Sequence, residues 1–400
     1  MFNPFIFSIF VKKTTKTNMG KFTQINDKSV KLLRFSQLIT SLDKRMERCQ
    51  KHTAETIVFI SMAAVICGAQ TWNDIEDFGK SKESFFKEKI PGFNGVPSHD
   101  TIGRFFKALD PEKFEEKFRQ WLMGIVGKYK GSLAIDGKTI CGASESGKKG
   151  GLKLHMVSIY ATQLGISLGQ LKTEDKSNEI EAIPKLIESI DVKGNVITID
   201  AMGCQRKIAK TIIDRGGDYL LIVKDNQKSL KGEIASIMEG ATAKRRANQY
   251  DTYQTREQGH GRIETRQCHS FGEMLCLGKR REQWKGIRSI GYIENKRQVK
   301  GGKATVNKRY FISSLDNDAC KILYNSRMHW QVENGLHWQL DVNFNEDQTR
   351  KKNVAAQNFS LLAKIALAVL KKDTRKAPIN RKIKMAGWDN NYLWELLSVL

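Results

Sequence analysis

The sequence predicts an α/β protein: an all-helical N-terminal domain, then a mixed-sheet domain carrying a β-rich insertion. Three observations lead there. Residues 31–125 follow a helical period, and after Gly131 the period switches to short apolar strands between amphipathic segments. Two of those strands each run into a single aspartate, Leu133-Ala134-Ile135-Asp136 and Val196-Ile197-Thr198-Ile199-Asp200. An acid at the end of a buried strand is poorly solvated and costly to keep charged, so each points to a metal or a counter-charge.

Residues 1–30 read as a tail, with Met19 as an alternative start. Its apolar opening is followed, not preceded, by Lys12-Lys13, the wrong order for a signal peptide. Glu55 to Cys67 is a buried-helix run closed by Gly68, and Thr71 to Gly79 continues with apolar residues at helical spacing. Ser98 caps a helix with Arg104 and Lys107 on its outer face, and Pro111 opens the next helix. The mixed domain is expected over 126–372. Leu133–Asp136 is its first strand; Leu154–Thr162 and Ile166–Lys172 form a hairpin around Gly165. Glu179–Ile190 is a helix, Val196–Asp200 a fourth strand, Gln205–Asp214 a helix and Tyr219–Val223 a fifth strand. Three strands, helix, strand, helix, strand is the order of an RNase H-like fold, in which strands one and four lie side by side. That adjacency brings Asp136 and Asp200 together. An insertion over about 228–308 carries strands at Arg262–Phe271, Ile287–Arg297 and Thr305–Ser313, the last two flanking the turn Lys300-Gly301-Gly302-Lys303. Helices at about Asp318–Gln339 and Val354–Lys371 complete the domain, and 373–400 is a segment that starts basic and ends apolar.

Lys+Arg 67 against Asp+Glu 43 gives a net charge of +24. That balance implies a polyanionic partner, DNA or RNA. Seven scattered cysteines form no CxxC pair, so neither a zinc ribbon nor a disulfide framework is indicated, and the odd count fits a reducing cytoplasm.

A third acid comes from the run His329-Trp330-Gln331-Val332-Glu333-Asn334-Gly335-Leu336-His337-Trp338. Trp330, Glu333, His337 and Asp341 fall near one helical face. A zinc ladder of His329, Glu333 and His337 is disfavoured, since HExxH is absent and no fourth ligand is suggested. Glu346 and Asp347 compete with Glu333 as the third acid. Two divalent ions can activate an oxygen nucleophile and stabilise the leaving oxygen of a phosphodiester. Mg²⁺ takes oxygen ligands and keeps several waters, so two or three carboxylates suffice, and Mn²⁺ can substitute. Asp136 would bridge both ions, with Asp200 on one and Glu333 on the other. Lys138, and Lys224-Asp225-Asn226-Gln227 past the fifth strand, sit at the same sheet edge, where ligands of open α/β sheets gather. In Gly259-His260-Gly261-Arg262-Ile263-Glu264-Thr265-Arg266, Arg262 and Arg266 would share a face suited to phosphates.

These segments resemble the DDE transposases of bacterial insertion sequences, in the branch of the H-repeat-associated proteins. The matching motifs include Gly95-Val96-Pro97-Ser98-His99-Asp100-Thr101, Ala134-Ile135-Asp136-Gly137-Lys138, Lys176-Ser177-Asn178-Glu179-Ile180, Thr198-Ile199-Asp200-Ala201-Met202, Val223-Lys224-Asp225-Asn226-Gln227, His260-Gly261-Arg262-Ile263-Glu264 and His329 to Trp338. They run in family order over roughly 40–395. The resemblance implies an RNase H-like DDE catalytic domain with Asp136, Asp200 and Glu333 as catalytic acids. It implies Mg²⁺-dependent cutting at element ends, joining to target DNA, action as a homo-oligomer on terminal inverted repeats, and a cytoplasmic, nucleoid-associated place in a bacterium. Lys138, Lys224, Asn226, Gln227, His260, Arg262, Arg266, Arg327 and His337 are the expected DNA contacts. Related transposases carry a Tyr, an Arg and a Lys around the glutamate. In this chain Tyr324 and Arg327 lie further upstream, Leu340 falls about where the Lys would be, and His337 is the nearest substitute. The alternative is an inactive or domesticated DNA-binding protein of the same fold.

Overall fold

The computed structural model describes residues 31–46, 50–143, 154–173, 178–244, 249–259, 261–299 and 302–398; the tail 1–30, Lys176, Ser177, His260, Lys300 and Gly301 lie outside them. The N-terminal unit is helical as the period predicts: α1 Lys31–Ile39, α2 Ala54–Ile66, α3 Trp72–Ser81, α4 Glu83–Lys89, α5 His99–Ala108 and α6 Pro111–Val126. Local chemistry sets the starts. Thr53 and Ser98 cap α2 and α5, Thr71 and Asp74 form a capping box on α3, and Asp110 caps α6 ahead of Pro111. Helix α2 is apolar on all sides and buried on all sides. Just past it Gly68 takes φ +96°, and a Cβ there would meet Ile383 at 2.9 Å.

The sheet domain begins with β1 Ser132–Ile140, β2 Leu154–Ala161 and β3 Ile166–Thr173, followed by α7 Glu179–Glu188, β4 Val196–Ile199, α8 Arg206–Asp214 and β5 Asp218–Val223. Then come α9 Lys228–Lys244, β6 Tyr250–Gly259, β7 Arg262–Phe271, α10 Arg280–Gln283, β8 Ser289–Val299 and β9 Thr305–Ser313. These strands form one nine-stranded sheet in the order β3-β2-β1-β4-β5-β9-β8-β7-β6. Strands β1 and β4 lie side by side and parallel, as expected, and β4 is parallel to β5.

Three differences from the sequence reading matter. First, the strands of the insertion extend the main sheet, a pairing the sequence reading left unstated. Strand β9 pairs with β5 from Leu220↔Ser313 to Val223↔Tyr310, so the four later strands prolong the same sheet. Two of its elements went unread. Strand β6 is a polar, largely exposed edge strand without apolar alternation, and α9 contains Gly232 and Gly240, although Leu230, Ile234 and Met238 bury one stripe. Second, Asp136 does not end its strand. Pairing with β2 continues from Asp136↔Ser158 to Ile140↔Leu154, whereas β4 stops at Ile199. Third, the segment after 372, read only as basic and then apolar, forms two helices, Ile379–Trp388 and Asn390–Leu397.

The helices after the sheet are α11 Ala319–Val332, a π-turn Glu333–His337, α12 Trp338–Phe344, α13 Asn353–Lys372, α14 Ile379–Trp388 and α15 Asn390–Leu397. Helix α13 packs against α2, α5 and α6 on one side and β3 on the other, so one apolar core runs from the helical unit into the sheet. It is long and apolar enough to cross a membrane, and it is buried in this core. Helices α14 and α15 fold back onto the N-terminal unit. Trp394 meets Phe85 edge-on at 6.0 Å, and Lys82 Nζ donates to Asn390 Oδ1 at 2.6 Å.

Candidate active site

Parallel pairing ends at Ile135↔Ile199, so Asp136 and Asp200 are the next residues on two adjacent strands. Neighbouring strands lie about 4.8 Å apart, so the two carboxylates leave the sheet side by side where β4 terminates. Asp200 caps the short turn Ala201–Gly203, accepting from Met202 N at 3.0 Å. Asp136 keeps β2 on one flank, and its side chain is 30% exposed, open enough to take a ligand.

Helix α11 is clamped over this pair. Ser132 Oγ donates to Asn325 Oδ1 at 2.7 Å, and His329 Nδ1 lies 3.1 Å from Thr198 Oγ1. Burial pushes the His329 imidazole down, against the pull of Asp136 and Asp200. The next turn is a π-turn, which inserts an extra residue into the helical register. It turns His337 inward, with Nε2 3.3 Å from Asp136 Oδ2. Burial alone would push the Asp136 carboxyl up, but the His337 ring, helped by His329, outweighs it and holds Asp136 below the usual carboxylate range. Glu333 opens the π-turn and is exposed, as are Trp330 and Trp338. The single face expected for Trp330, Glu333, His337 and Asp341 is therefore broken: the inserted residue rotates His337 into the interior while Trp330 and Glu333 stay outside. Lys371 Nζ fastens the turn, donating to Gly335 O and to Tyr160 Oη at 2.6 Å, and burial pushes this lysine down to about 8.

The opposite face of β1 is packed as tightly. Glu179 Oε1 and His155 Nε2 lie 2.6 Å apart, both residues buried, and His155 Nδ1 is 2.8 Å from Thr139 Oγ1. A Cβ on Gly137 would sit 2.2 Å from Glu179 Oε1 and 2.6 Å from His155 Nε2. Glycine beside Asp136 thus lets this pair press directly on the acid-bearing strand.

Lys138 is not free for a phosphate. It is ion-paired to Glu346 at 3.0 Å, to Asp347 at 3.6 Å and to Asp341. Glu346 and Asp347 thereby belong to this cluster, apart from Asp136 and Asp200. Burial pushes Glu346 up, but Lys364 and Lys138 outweigh it and hold the carboxyl low. Lys364, wholly buried, donates to Gln170 Oε1 and to Ser158 Oγ at 3.2 Å, and Ser158 is the cross-strand neighbour of Asp136.

The remaining expected DNA contacts scatter. Lys224 is exposed just past β5. Asn226 Nδ2 donates to Ala201 O at 2.6 Å and Gln227 Nε2 to Cys204 O at 3.1 Å, so both amides brace the turn after Asp200. Arg262 pairs with Glu264 at 2.7 Å, Arg266 with Glu257 at 2.9 Å and with Glu264, and Arg327 with Glu257. Arg262 and Arg266 do share a face, but carboxylates already engage both. Among the described residues no three His, Cys, Asp or Glu side chains converge closely enough to hold an ion as they stand. Lys371, Lys364 and Tyr160 were not foreseen at this site, because each reaches it from a distant element.

Comparison with known proteins places the chain in a family. Residues 130–370 match the family model described as transposase DDE domain, and residues 35–122 match the DDE_Tnp_1-associated model. The "Putative transposase YncI" of Escherichia coli O157:H7 is 40% identical over 365 residues, 89% of this chain and 92% of that protein. The "H repeat-associated putative transposase YhhI" of Escherichia coli K12 is 38% identical over 361 residues, 87% of this chain and 93% of that protein. Among solved structures, a piggyBac transposase synaptic complex with hairpin DNA aligns with a TM-score of 0.39 and 12% identity, covering 91% of this chain and 78% of that one, too slight a likeness to carry weight. The chain belongs to the DDE transposase family, in its H-repeat-associated branch.

Proposed function

We propose that the protein cleaves DNA at the ends of an insertion element and joins those ends to target DNA, with Asp136, Asp200 and Glu333 as the catalytic acids. The observation that carries this reading is the register-matched exit of Asp136 and Asp200 from adjacent parallel strands beneath a π-turn that begins at Glu333. The strand order β3-β2-β1-β4-β5, with β1 and β4 parallel, supports an RNase H-like core. The net charge of +24 supports a DNA partner.

The donor set suits a hard divalent cation. Asp136 and Asp200 present carboxylate oxygens side by side, which Mg²⁺ or Mn²⁺ prefers, and Asp200 carries no lysine or arginine partner among the described residues. Two such ions would supply charge stabilisation for the attacking and leaving oxygens. The chain's own residues do the rest. Asp136 stays ionised because His337 and His329 hold its carboxyl low. Asp200 is aimed by the amide of Met202. Glu333, exposed on a turn anchored by Lys371 and Tyr160, would supply the third acid from the helix side. Holding two element ends for joining requires at least two copies on DNA, so a homo-oligomer goes with this reading.

The test is Asp200→Asn in the full chain. Cutting of a plasmid carrying the gene's own flanking DNA should be abolished while retention of that DNA on a gel persists. Cutting at the wild-type rate would refute the assignment. A wild-type protein that retains DNA and never cuts it would favour a non-catalytic DNA-binding protein.

A further inference from the structure

A cleft of about 500 Å³ opens between α5 of the helical unit and the N-terminus of α13. Its floor is Trp72, stacked on Phe106 with centroids 5.3 Å apart and rings 4° from parallel. One wall carries Arg104 and Lys107, a turn apart on the exposed face of α5. The other carries Lys351 and Lys352. Lys351 lies over the Phe359 ring at 3.5 Å, and Lys352 Nζ donates to Gly142 O at 3.2 Å. Asp100 is the one carboxylate in the lining.

Arg104 and Lys107 face the open groove side by side, while the Lys351 and Lys352 ammonium groups on the far wall are held by Gln70 O and Gly142 O, so the groove carries a row of positive charge that fits a line of negative charges better than a single anion. Arg262, Arg266 and Arg327 are each engaged by glutamates. Among the described residues no carboxylate engages Arg104 or Lys107, so these two remain available to an outside anion. Helix α13 adds to the field: it is 20 residues long, has no acid in its first turn, and its N-cap residue makes no side-chain cap. The position is also apt. Lys352 touches Gly142, six residues beyond Asp136, or roughly 20 Å at about 3.3 Å per strand residue. A duplex lying on Asp136 and Asp200 would reach the groove within one helical turn, about 34 Å.

We propose that this groove docks the phosphodiester backbone of duplex DNA and fixes its path across Asp136 and Asp200. The inference rests on the DNA-processing function above, and its test is a binding measurement in EDTA, independent of cutting. Fluorescence anisotropy would follow the full chain on a 30-base-pair duplex of the gene's flanking DNA and on a scrambled duplex, between 50 and 200 mM salt. Arg104→Glu/Lys107→Glu should weaken both duplexes at least about tenfold and flatten the slope of log affinity against log salt by about 2, since each phosphate contact contributes about 0.9. Asp100→Asn should bind both duplexes about two- to threefold tighter, a gain that a folding defect does not produce. Wild-type affinity and slope in the double variant would overturn the proposal, as would unchanged or weaker binding by Asp100→Asn.

Discussion

Gly137→Ala probes whether the packing behind β1 holds Asp136 in place. The added methyl would sit 2.2 Å from Glu179 Oε1, 2.6 Å from His155 Nε2 and 2.7 Å from Glu179 Cδ. All three atoms belong to side chains, but neither can swing away, since His155 is 3% and Glu179 6% exposed and the two are bonded at 2.6 Å. Either the pair parts or the strand shifts. Overpacking costs about 1–3 kcal/mol, and losing a buried hydrogen bond to a charged group about 1.5–3 kcal/mol. Partial relaxation leaves about 3 kcal/mol. With unfolding entropy near 2.1 cal/mol/K per residue, a chain of this size loses about 1.2 °C per kcal/mol, so the melting temperature should fall by about 4 °C. A strand displaced by a fraction of an ångström should also slow plasmid cutting by about tenfold or more, as misplaced catalytic groups do. Scanning calorimetry and the cutting assay read the two effects. Adding Glu179→Ala should recover part of the loss, because it empties the space the methyl needs, giving a non-additive cycle. Wild-type melting and wild-type cutting in Gly137→Ala would refute the reasoning.

Two further substitutions probe the buried charges. Lys364→Met removes the charge that, with Lys138, holds buried Glu346 ionised and takes the donor away from Ser158 and Gln170, and losing hydrogen bonds from a buried charged group costs about 1.5–3 kcal/mol; urea unfolding should show it, and an unchanged or raised midpoint would contradict the network. Lys371 titrates at about 8 in the folded chain against 10.5 for the free side chain. The folded state therefore binds fewer protons between those values, and stability should rise as pH climbs through that window, by about 3 kcal/mol in full. Unfolding midpoints of wild type and Lys371→Met should diverge in favour of wild type from about pH 8 upward; parallel curves would refute it.

The paired acids were legible because buried parallel strands are continuous apolar runs, and an acid that interrupts such a run stands out. The side-by-side placement of β1 and β4 followed from element order. The surroundings of the acids were hidden for identifiable reasons. An inserted residue at Glu333–His337 leaves no compositional trace, yet it reverses which way His337 faces. Lys364 and Lys371 read as ordinary helix-surface lysines, and their partners Ser158, Gln170, Glu346, Tyr160 and Gly335 come from distant parts of the chain. Lys138 looked free because its three carboxylates lie some 200 residues away. Strand β6 escaped because a polar edge strand has no buried face to impose alternation.

The most direct measurement is a crystal structure of the protein soaked in Mn²⁺, with anomalous diffraction to locate the ions. The expected result is anomalous density held by carboxylate oxygens of both Asp136 and Asp200 and lost in Asp136→Asn. Density at Asp341 and Asp347 instead, or ordered Asp136 and Asp200 carboxylates with none between them, would contradict the metal-dependent site.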